Sequence, residues 1–178
     1  KKELIHIENE RKTQSIKRNK EYRVSLVGYT NAGKSTLFKS LTGADVFIKN
    51  QLFATLDTTI RKLNLDSSHR ILLSDTVGFI RKLPHNLVAS FKSTLKEVLE
   101  ADLILIVLDI NSTQILDHIK TIEEVLEQLG AENIKKLFVL NKFELIKDKS
   151  KIKKLKRMFP ESVIVSAKEH LMISELKS

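Results

Sequence analysis

The chain has 178 residues, of which 42% are hydrophobic and 30% are charged, and it contains no cysteine. This length and composition are typical of one globular domain, and the missing cysteines exclude disulfides and thiolate metal sites. The longest apolar run, Leu103 to Leu108, is much too short to span a bilayer, so we expect no integral membrane segment.

The formal net charge of +9 lies mainly in two segments. Residues 1–20 hold seven Lys and Arg against three Glu, and residues 147–157 hold seven against one Asp. Such runs can neutralise RNA phosphates, and binding of that kind weakens steeply with salt. A solvated lysine-rich surface is an equally weighted alternative.

Residues 1–20 predict the end of a helix that leads into the domain, and after them short apolar runs alternate with amphipathic stretches. The predicted strands are 22–27, 60–66, 70–74, 103–108, 136–140 and 163–166. The predicted helices are Ser35–Leu41, Leu87–Leu99, Ser112–Leu129 and Lys151–Met158, the third capped by Asn111 and ended by Gly130. The pattern predicts an α/β fold with a six-stranded, mostly parallel sheet, one antiparallel edge strand and helices on both faces.

A glycine-rich loop that ends in a lysine and a hydroxyl follows the first predicted strand. It consists of Gly28, Tyr29, Thr30, Asn31, Ala32, Gly33, Lys34 and Ser35, with Thr36 next in the chain. This spacing matches the phosphate-binding loop of P-loop NTPases, whose two glycines let the backbone curve around the anion. In that interpretation Lys34 binds the β- and γ-phosphates and acts in catalysis, while Ser35 offers its hydroxyl to Mg²⁺. An accidental glycine-rich turn is the alternative, which the strand, loop and helix order disfavours.

Asp75 stands at the carboxyl end of the third predicted strand, and Gly78 follows shortly after it. Ligands of such sheets bind at this edge. A carboxylate there can hold Mg²⁺ through its water shell, and a glycine lets a backbone N–H approach the γ-phosphate. Asp-x-x-Gly alone is a common turn sequence, so its weight comes from its position after the phosphate loop.

Two later segments resemble the base-reading loops of GTPases. Asn141, Lys142 and Glu144 resemble a motif whose final aspartate accepts hydrogen bonds from guanine, with a charged helix start as the alternative. The segment Ser166-Ala167-Lys168 resembles the loop whose backbone N–H contacts the base oxygen. Because Glu144 is one methylene longer than aspartate, we expect a guanine preference weakened by about 1–3 kcal/mol. Together the motifs favour a Ras-like GTPase domain over an ATPase or a kinase.

Longer sequence segments resemble the HflX family of GTPases over about residues 22–170. They are Gly28–Phe38, Leu41–Val46, Gln51–Asp57, Asp75–Arg81, Leu83–His85 and Ala101–Leu103. The resemblance implies a GTPase that hydrolyses GTP slowly alone, binds the large ribosomal subunit and its RNA, and can split or rescue stalled ribosomes. It also implies that residues 1–20 end a helical arm of a missing amino-terminal domain. The GTPase domain would then occupy 21–178, with its final helix cut short.

The resemblance also assigns roles in the switch segments. Thr55 is the expected switch threonine, which senses Mg²⁺ and the γ-phosphate and acts in catalysis, with Thr58 and Thr59 as alternatives. Thr58 stands where the family usually has proline, which alters the local turn. Phe79 occupies the place of the water-orienting glutamine of many GTPases and implies slow hydrolysis, although core packing would also explain it. Asn31 either helps to bind K⁺, as in related GTPases, or serves only as a turn residue.

These interpretations predict a monomeric, cytoplasmic protein that uses GTP, GDP and Mg²⁺, with an organelle left open as its compartment. A nucleotide-responsive RNA-binding module with negligible hydrolysis is the main alternative. The third hypothesis is membership of a neighbouring GTPase family whose partner is not the ribosome.

Overall fold

The computed structural model describes residues 21–43, 58–76, 78, 96–146 and 149–177. The strands are β1 (Tyr22–Gly28), β2 (Thr59–Asn64), β3 (Arg70–Asp75), β4 (Leu103–Asp109), β5 (Lys135–Asn141) and β6 (Val163–Ile164). The helices are α1 (Lys34–Thr42), α2 (Ile115–Leu129) and α3 (Lys149–Met158), with short 3₁₀ turns at Phe143–Leu145 and Ser174–Leu176. Of the predicted helix Leu87–Leu99, residues 96–99 are described and are helical. The predicted arm at 1–20 lies outside the described residues.

The strands form one sheet in the order β2-β3-β1-β4-β5-β6. All neighbouring pairs are parallel except β2 and β3, which are antiparallel. The Asp66 carboxylate stabilises the turn between them by accepting the backbone N–H groups of Ser68 and His69, at 2.6 and 2.8 Å. The predicted sheet, with one antiparallel edge strand, is confirmed.

Helices cover both faces of the sheet, as predicted, because alternate strand side chains enter two separate cores. The core on the α1 face includes Leu26, Leu37, Phe38, Leu73, Leu105 and Val139. The core on the opposite face includes Ile104, Ile106, Leu108, Ile122, Leu126 and Leu155, the last three from α2 and α3. The packed strands hold their carboxyl ends at one edge, and this edge carries the polar loops.

The start of α2 differs from the prediction, because the helix begins at Ile115 and Asn111 does not cap it. Instead, Asp109 Oδ1 accepts the Asn111 backbone N–H at 2.9 Å, and Asn111 Nδ2 donates to the Lys142 carbonyl at 2.9 Å. The asparagine side chain thus binds a neighbouring loop rather than its own helix. The predicted end is confirmed, since Gly130 has a φ of 74° and donates its N–H to the last turn of α2.

Candidate nucleotide-binding site

The loop after β1 depends on two glycines that come close to other backbone or side-chain atoms. A Cβ at Gly28 would collide with the Val107 carbonyl oxygen of β4, and one at Gly33 would collide with Asn141 Nδ2. Gly33 also has a φ of 94°, in the left-handed region that glycine adopts without strain. Gly33 stands at the N-cap of α1 without a side chain, so the first N–H groups of the helix face the loop. A loop of this geometry can bind an anion.

Lys34 lies inside this loop and is only 6% exposed. Its Nζ donates to the carbonyl oxygens of Gly28 and Tyr29, both at 3.2 Å. Burial lowers the Lys34 pKa from 10.5 to about 8, and the charge of Asp75 raises it part of the way back. A phosphate in the loop would favour the charged lysine, because it would supply the counter-charge that burial removes.

The structure brings Asp75 and Gly78 to the phosphate loop. Asp75 ends β3, is fully buried and is paired in register with Thr59 of β2. A Cβ at Gly78 would lie 2.9 Å from Thr30 Cα and 3.0 Å from Lys34 Nζ, so the Gly78 backbone comes very close to the loop. Thr55 and Phe79 lie outside the described residues.

The donor set at this edge fits Mg²⁺. Ser35 follows Lys34 at the start of α1 and supplies a hydroxyl, and Asp75 supplies a carboxylate. Both are hard oxygen ligands, and Mg²⁺ is usually held by one or two protein oxygens together with water and phosphate oxygens. The pair can therefore hold this ion.

Asn141 joins the phosphate loop to the segment Ser166-Ala167-Lys168. Its buried side chain donates from Nδ2 to the Ala32 carbonyl at 3.0 Å and accepts the Ala167 N–H at Oδ1, also at 3.0 Å. Residues far apart in the sequence thus form one site, as the order of the motifs predicts.

Lys142 and Glu144 lie in the loop that follows Asn141 at the end of β5. Lys142 has a φ of 66°, and its Nζ forms an ion pair with Asp109 Oδ2 at 2.8 Å. Glu144 Oε2 is buried and accepts no hydrogen bond from the described residues. Such an acceptor is costly unless a ligand donor satisfies it.

The loop at 166–171 is closed by its own hydrogen bonds. The backbone N–H and C=O groups of Ser166 pair with those of Leu171 at 3.1 and 3.0 Å, and Ser166 Oγ accepts the Glu169 N–H at 3.1 Å. This closure holds the Ala167 backbone beside Asn141, while the Lys168 side chain is exposed. A rigid N–H in this place can donate to a base oxygen.

Comparison with known proteins identifies the family. Residues 23–142 match the family model described as 50S ribosome-binding GTPase. The chain belongs to this family. The fold agrees, since the structure of a GTP-binding protein from Sulfolobus solfataricus in complex with GDP superposes with a TM-score of 0.69 and 26% identity. That alignment covers 94% of this chain and 53% of the other.

The resemblance of this GTPase-family chain to HflX is also confirmed. GTPase HflX of Caldanaerobacter subterraneus subsp. tengcongensis is 52% identical over 145 residues, which are 80% of this chain and 34% of the relative. GTPase HflX of Escherichia coli K12 is 50% identical over 125 residues, which are 70% of this chain and 29% of the relative. The chain thus spans about a third of the length of the curated relatives it matches.

Two residues near the site of this GTPase domain were not predicted from the sequence. Asp109, which pairs with Lys142, lies at the carboxyl end of β4, so the rule that indicated Asp75 could have indicated it too. His118 of α2 stacks on Tyr29 of the phosphate loop, with ring centroids 4.0 Å apart and an interplanar angle of 9°. No local pattern indicates this contact, because only the tertiary packing brings α2 to the loop.

In the part of the chain that the structure describes, no helix has the length and hydropathy needed to cross a membrane.

Proposed function

We propose that this chain is the nucleotide switch of a ribosome-associated GTPase, which binds GTP with Mg²⁺ and hydrolyses it in response to the large ribosomal subunit. The observation that carries the proposal is the double hydrogen bond of Asn141, which joins the phosphate loop to the base side of one site. The ribosomal partner is supported by the description of the matched family and by the HflX relatives.

In the proposed phosphate site, N–H groups of 28–36 surround the β- and γ-phosphates and Lys34 binds them as a point charge. Ser35 and Asp75 would hold Mg²⁺, which would neutralise negative charge that develops on the phosphates. The Gly78 N–H approaches the γ-phosphate from the other side, an arrangement supported by its close approach to Thr30 and Lys34. Thr55 is proposed to complete this shell in the GTP state.

Hydrolysis is proposed to be slow in the isolated protein. A water molecule must attack the γ-phosphate in line with the leaving oxygen, and a positioned side chain usually orients it. The phenyl ring of Phe79 cannot accept a hydrogen bond in the way that glutamine does. We therefore infer that ribosome binding supplies the group that orients this water, so that the subunit stimulates turnover.

The proposed base site reads guanine through Glu144. The buried Oε2 atom needs a donor, and the N1–H and exocyclic amino group of guanine supply two. Adenine presents no donor at N1 and would leave this oxygen unsatisfied. A competition of GTP against ATP tests the assignment, since equal affinities would remove the guanine preference.

A bound potassium ion is a second proposed charge at the phosphates. Asn31 is exposed in the loop and has a φ of 61°, which asparagine tolerates better than most residues and which also suits a plain turn role. Single-turnover rates in K⁺ and in Na⁺ separate the two roles. Faster hydrolysis in K⁺ that Asn31→Ala abolishes is expected, whereas equal rates would leave only the turn role.

Single-turnover GTP hydrolysis by the full-length protein, with and without purified large subunits, tests the main proposal. We expect stimulation by large subunits that Lys34→Ala abolishes. The absence of product even with ribosomes would favour the alternative, a nucleotide-responsive RNA-binding module. Sedimentation of intact ribosomes with the protein and GTP tests subunit splitting separately.

A further inference from the structure

A surface cleft of about 480 Å³ lies between the start of α2 and the length of α3, outside the residues proposed to bind nucleotide. Its lining includes the apolar side chains of Ile115, Leu116, Leu155 and Met158 and the lysines Lys151 and Lys154. We refer to these six residues as the α2–α3 cleft.

The apolar part of the α2–α3 cleft is open to solvent. Leu116 is 56% exposed and Met158 is 42% exposed, while Ile115 and Leu155 are buried beneath them. On α3, Lys151, Lys154, Leu155 and Met158 recur at intervals of three and four residues, so they form one stripe along the helix. Exposed large apolar side chains grouped in a concave surface are typical of a site that another molecule covers.

The α3 side of the α2–α3 cleft is positively charged. The sequence of α3, KSKIKKLKRM, contains no acidic residue, whereas on the α2 side the acidic residue Asp117 also lines the cleft. Lys151 Nζ donates to the Ser112 carbonyl at 3.5 Å, which holds this ammonium at the edge of the cleft, and Lys154 is exposed. A partner with carboxylates beside its apolar side chains would be complementary.

We propose that the α2–α3 cleft binds an acidic amphipathic segment of a partner protein, with leucine-like side chains on Leu116 and Met158 and carboxylates on Lys151 and Lys154. RNA fits less well, because a phosphate backbone would pair with the lysines but would leave the two apolar side chains against a polar ligand. A second copy of this chain is disfavoured by charge, since each copy carries a net +9. The mode is that of an amphipathic helix in a groove.

The α2–α3 cleft shares a connection with the base side of the nucleotide site. Ser112, which accepts the Lys151 hydrogen bond, follows Asn111, and Asn111 donates to the Lys142 carbonyl. A segment bound in the cleft would therefore contact the loop that supports Lys142.

Fluorescence anisotropy tests the proposal on the 178-residue chain without ribosomes or hydrolysis, so its failure would leave the proposed function untouched. The probe is a labelled peptide of roughly five helical turns with leucine and phenylalanine on one face and glutamate on the other. Leu116→Lys and Lys154→Glu alter exposed side chains, and each is expected to weaken binding about tenfold or more. Leu99→Lys and Lys62→Glu are matched exposed controls outside the cleft, Lys62 being on the edge strand β2, and each is expected to change affinity less than about twofold.

Three results would overturn the proposal. They are an absence of peptide binding, equal losses in the cleft and control variants, or equal binding of a scrambled peptide, which would indicate charge attraction alone. A uridine oligonucleotide and phosphatidylglycerol vesicles serve as competing ligands. If the peptide fails to bind and either of these ligands binds in a way that Leu116→Lys or Lys154→Glu weakens, the surface would be assigned to RNA or to lipid instead.

Discussion

Burial of the charged Lys34 ammonium costs free energy, but the same charge is proposed to bind the phosphates. The ammonium is enclosed by backbone carbonyls, and burial lowers its pKa to about 8. Burial of this charge therefore costs free energy, and a phosphate bound in the loop would offset that cost. The buried Lys34 charge should therefore favour anion binding and should lower the free energy of unfolding of the nucleotide-free domain.

The lowered pKa of Lys34 predicts how the stability of the domain depends on pH. Lys34 has a pKa of about 8 in the folded chain against 10.5 when unfolded, so between these values the unfolded chain binds more protons. The free energy of unfolding of the nucleotide-free protein should then rise with pH across this window, by about 3 kcal/mol from Lys34. Lys34→Met should lack this rise, because methionine has no group that binds or releases a proton in this window.

Denaturant unfolding of both proteins at several pH values from about 7.5 to 10.5 measures the difference. Lys120→Met is the control, since Lys120 is exposed on α2 and should leave the slope unchanged. Identical slopes for the native chain and Lys34→Met would show that the Lys34 pKa is not lowered.

Glu144 gives a second prediction at the scale of one residue. Its extra methylene alters the reach of the carboxylate, so Glu144→Asp should increase the preference for GDP over ADP about tenfold. Glu144→Ala should lower GDP affinity and leave ADP affinity nearly unchanged, because adenine gains nothing from the carboxylate. Competition against a fluorescent nucleotide measures both ratios. A preference that does not respond to either substitution would place base recognition elsewhere.

At the scale of elements, left-handed glycines serve different purposes in α1 and α2. Gly33 and Gly130 both have positive φ values, but a Cβ would meet Asn141 at Gly33 and nothing within 4 Å at Gly130. Alanine at Gly130 should therefore cost only backbone strain, about 1 kcal/mol, with nucleotide affinity unchanged. Alanine at Gly33 should also displace Asn141 and weaken GDP binding more than about tenfold. Unfolding curves and GDP titrations of the two variants make the comparison, and similar GDP affinities would contradict it.

The helices and strands also show which parts of the structure the sequence patterns could predict. Short apolar runs predicted the six strands that the structure describes. The clearest case is β4, because a buried parallel strand is a continuous apolar segment bounded by polar loops. The motif spacing indicated the phosphate loop, Asp75 and Asn141, which the structure brings to one edge of the sheet. The start of α2 was wrong because Asn111 binds the Lys142 loop, and the stacking of His118 on Tyr29 was missed because tertiary packing creates both contacts.

At the scale of the whole molecule, the site is built from loops that follow separate strands. The phosphate loop follows β1, Asp75 ends β3, Asp109 ends β4, and Asn141 ends β5. The rigid sheet places these strand ends, but direct bonds between the loops decide whether they act together. Nucleotide at 100 times the Kd of the unchanged chain should stabilise the folded domain by about 2.7 kcal/mol, and at the same concentration a variant with a higher Kd should gain less.

Asn141→Ala should separate these contributions. The substitution leaves the buried Ala32 carbonyl and the Ala167 N–H without their Asn141 hydrogen bonds, at about 1–3 kcal/mol for each group. The nucleotide-free domain should lose about 2–6 kcal/mol of stability, and GDP should bind more than about tenfold more weakly because its two contact loops are no longer fixed together. Asn133→Ala is the matched control, since this asparagine is exposed. Among the hydrogen bonds that the structure describes, its side chain forms one, to Glu132. Stability loss without any loss of GDP affinity would mean that the two loops bind the nucleotide independently.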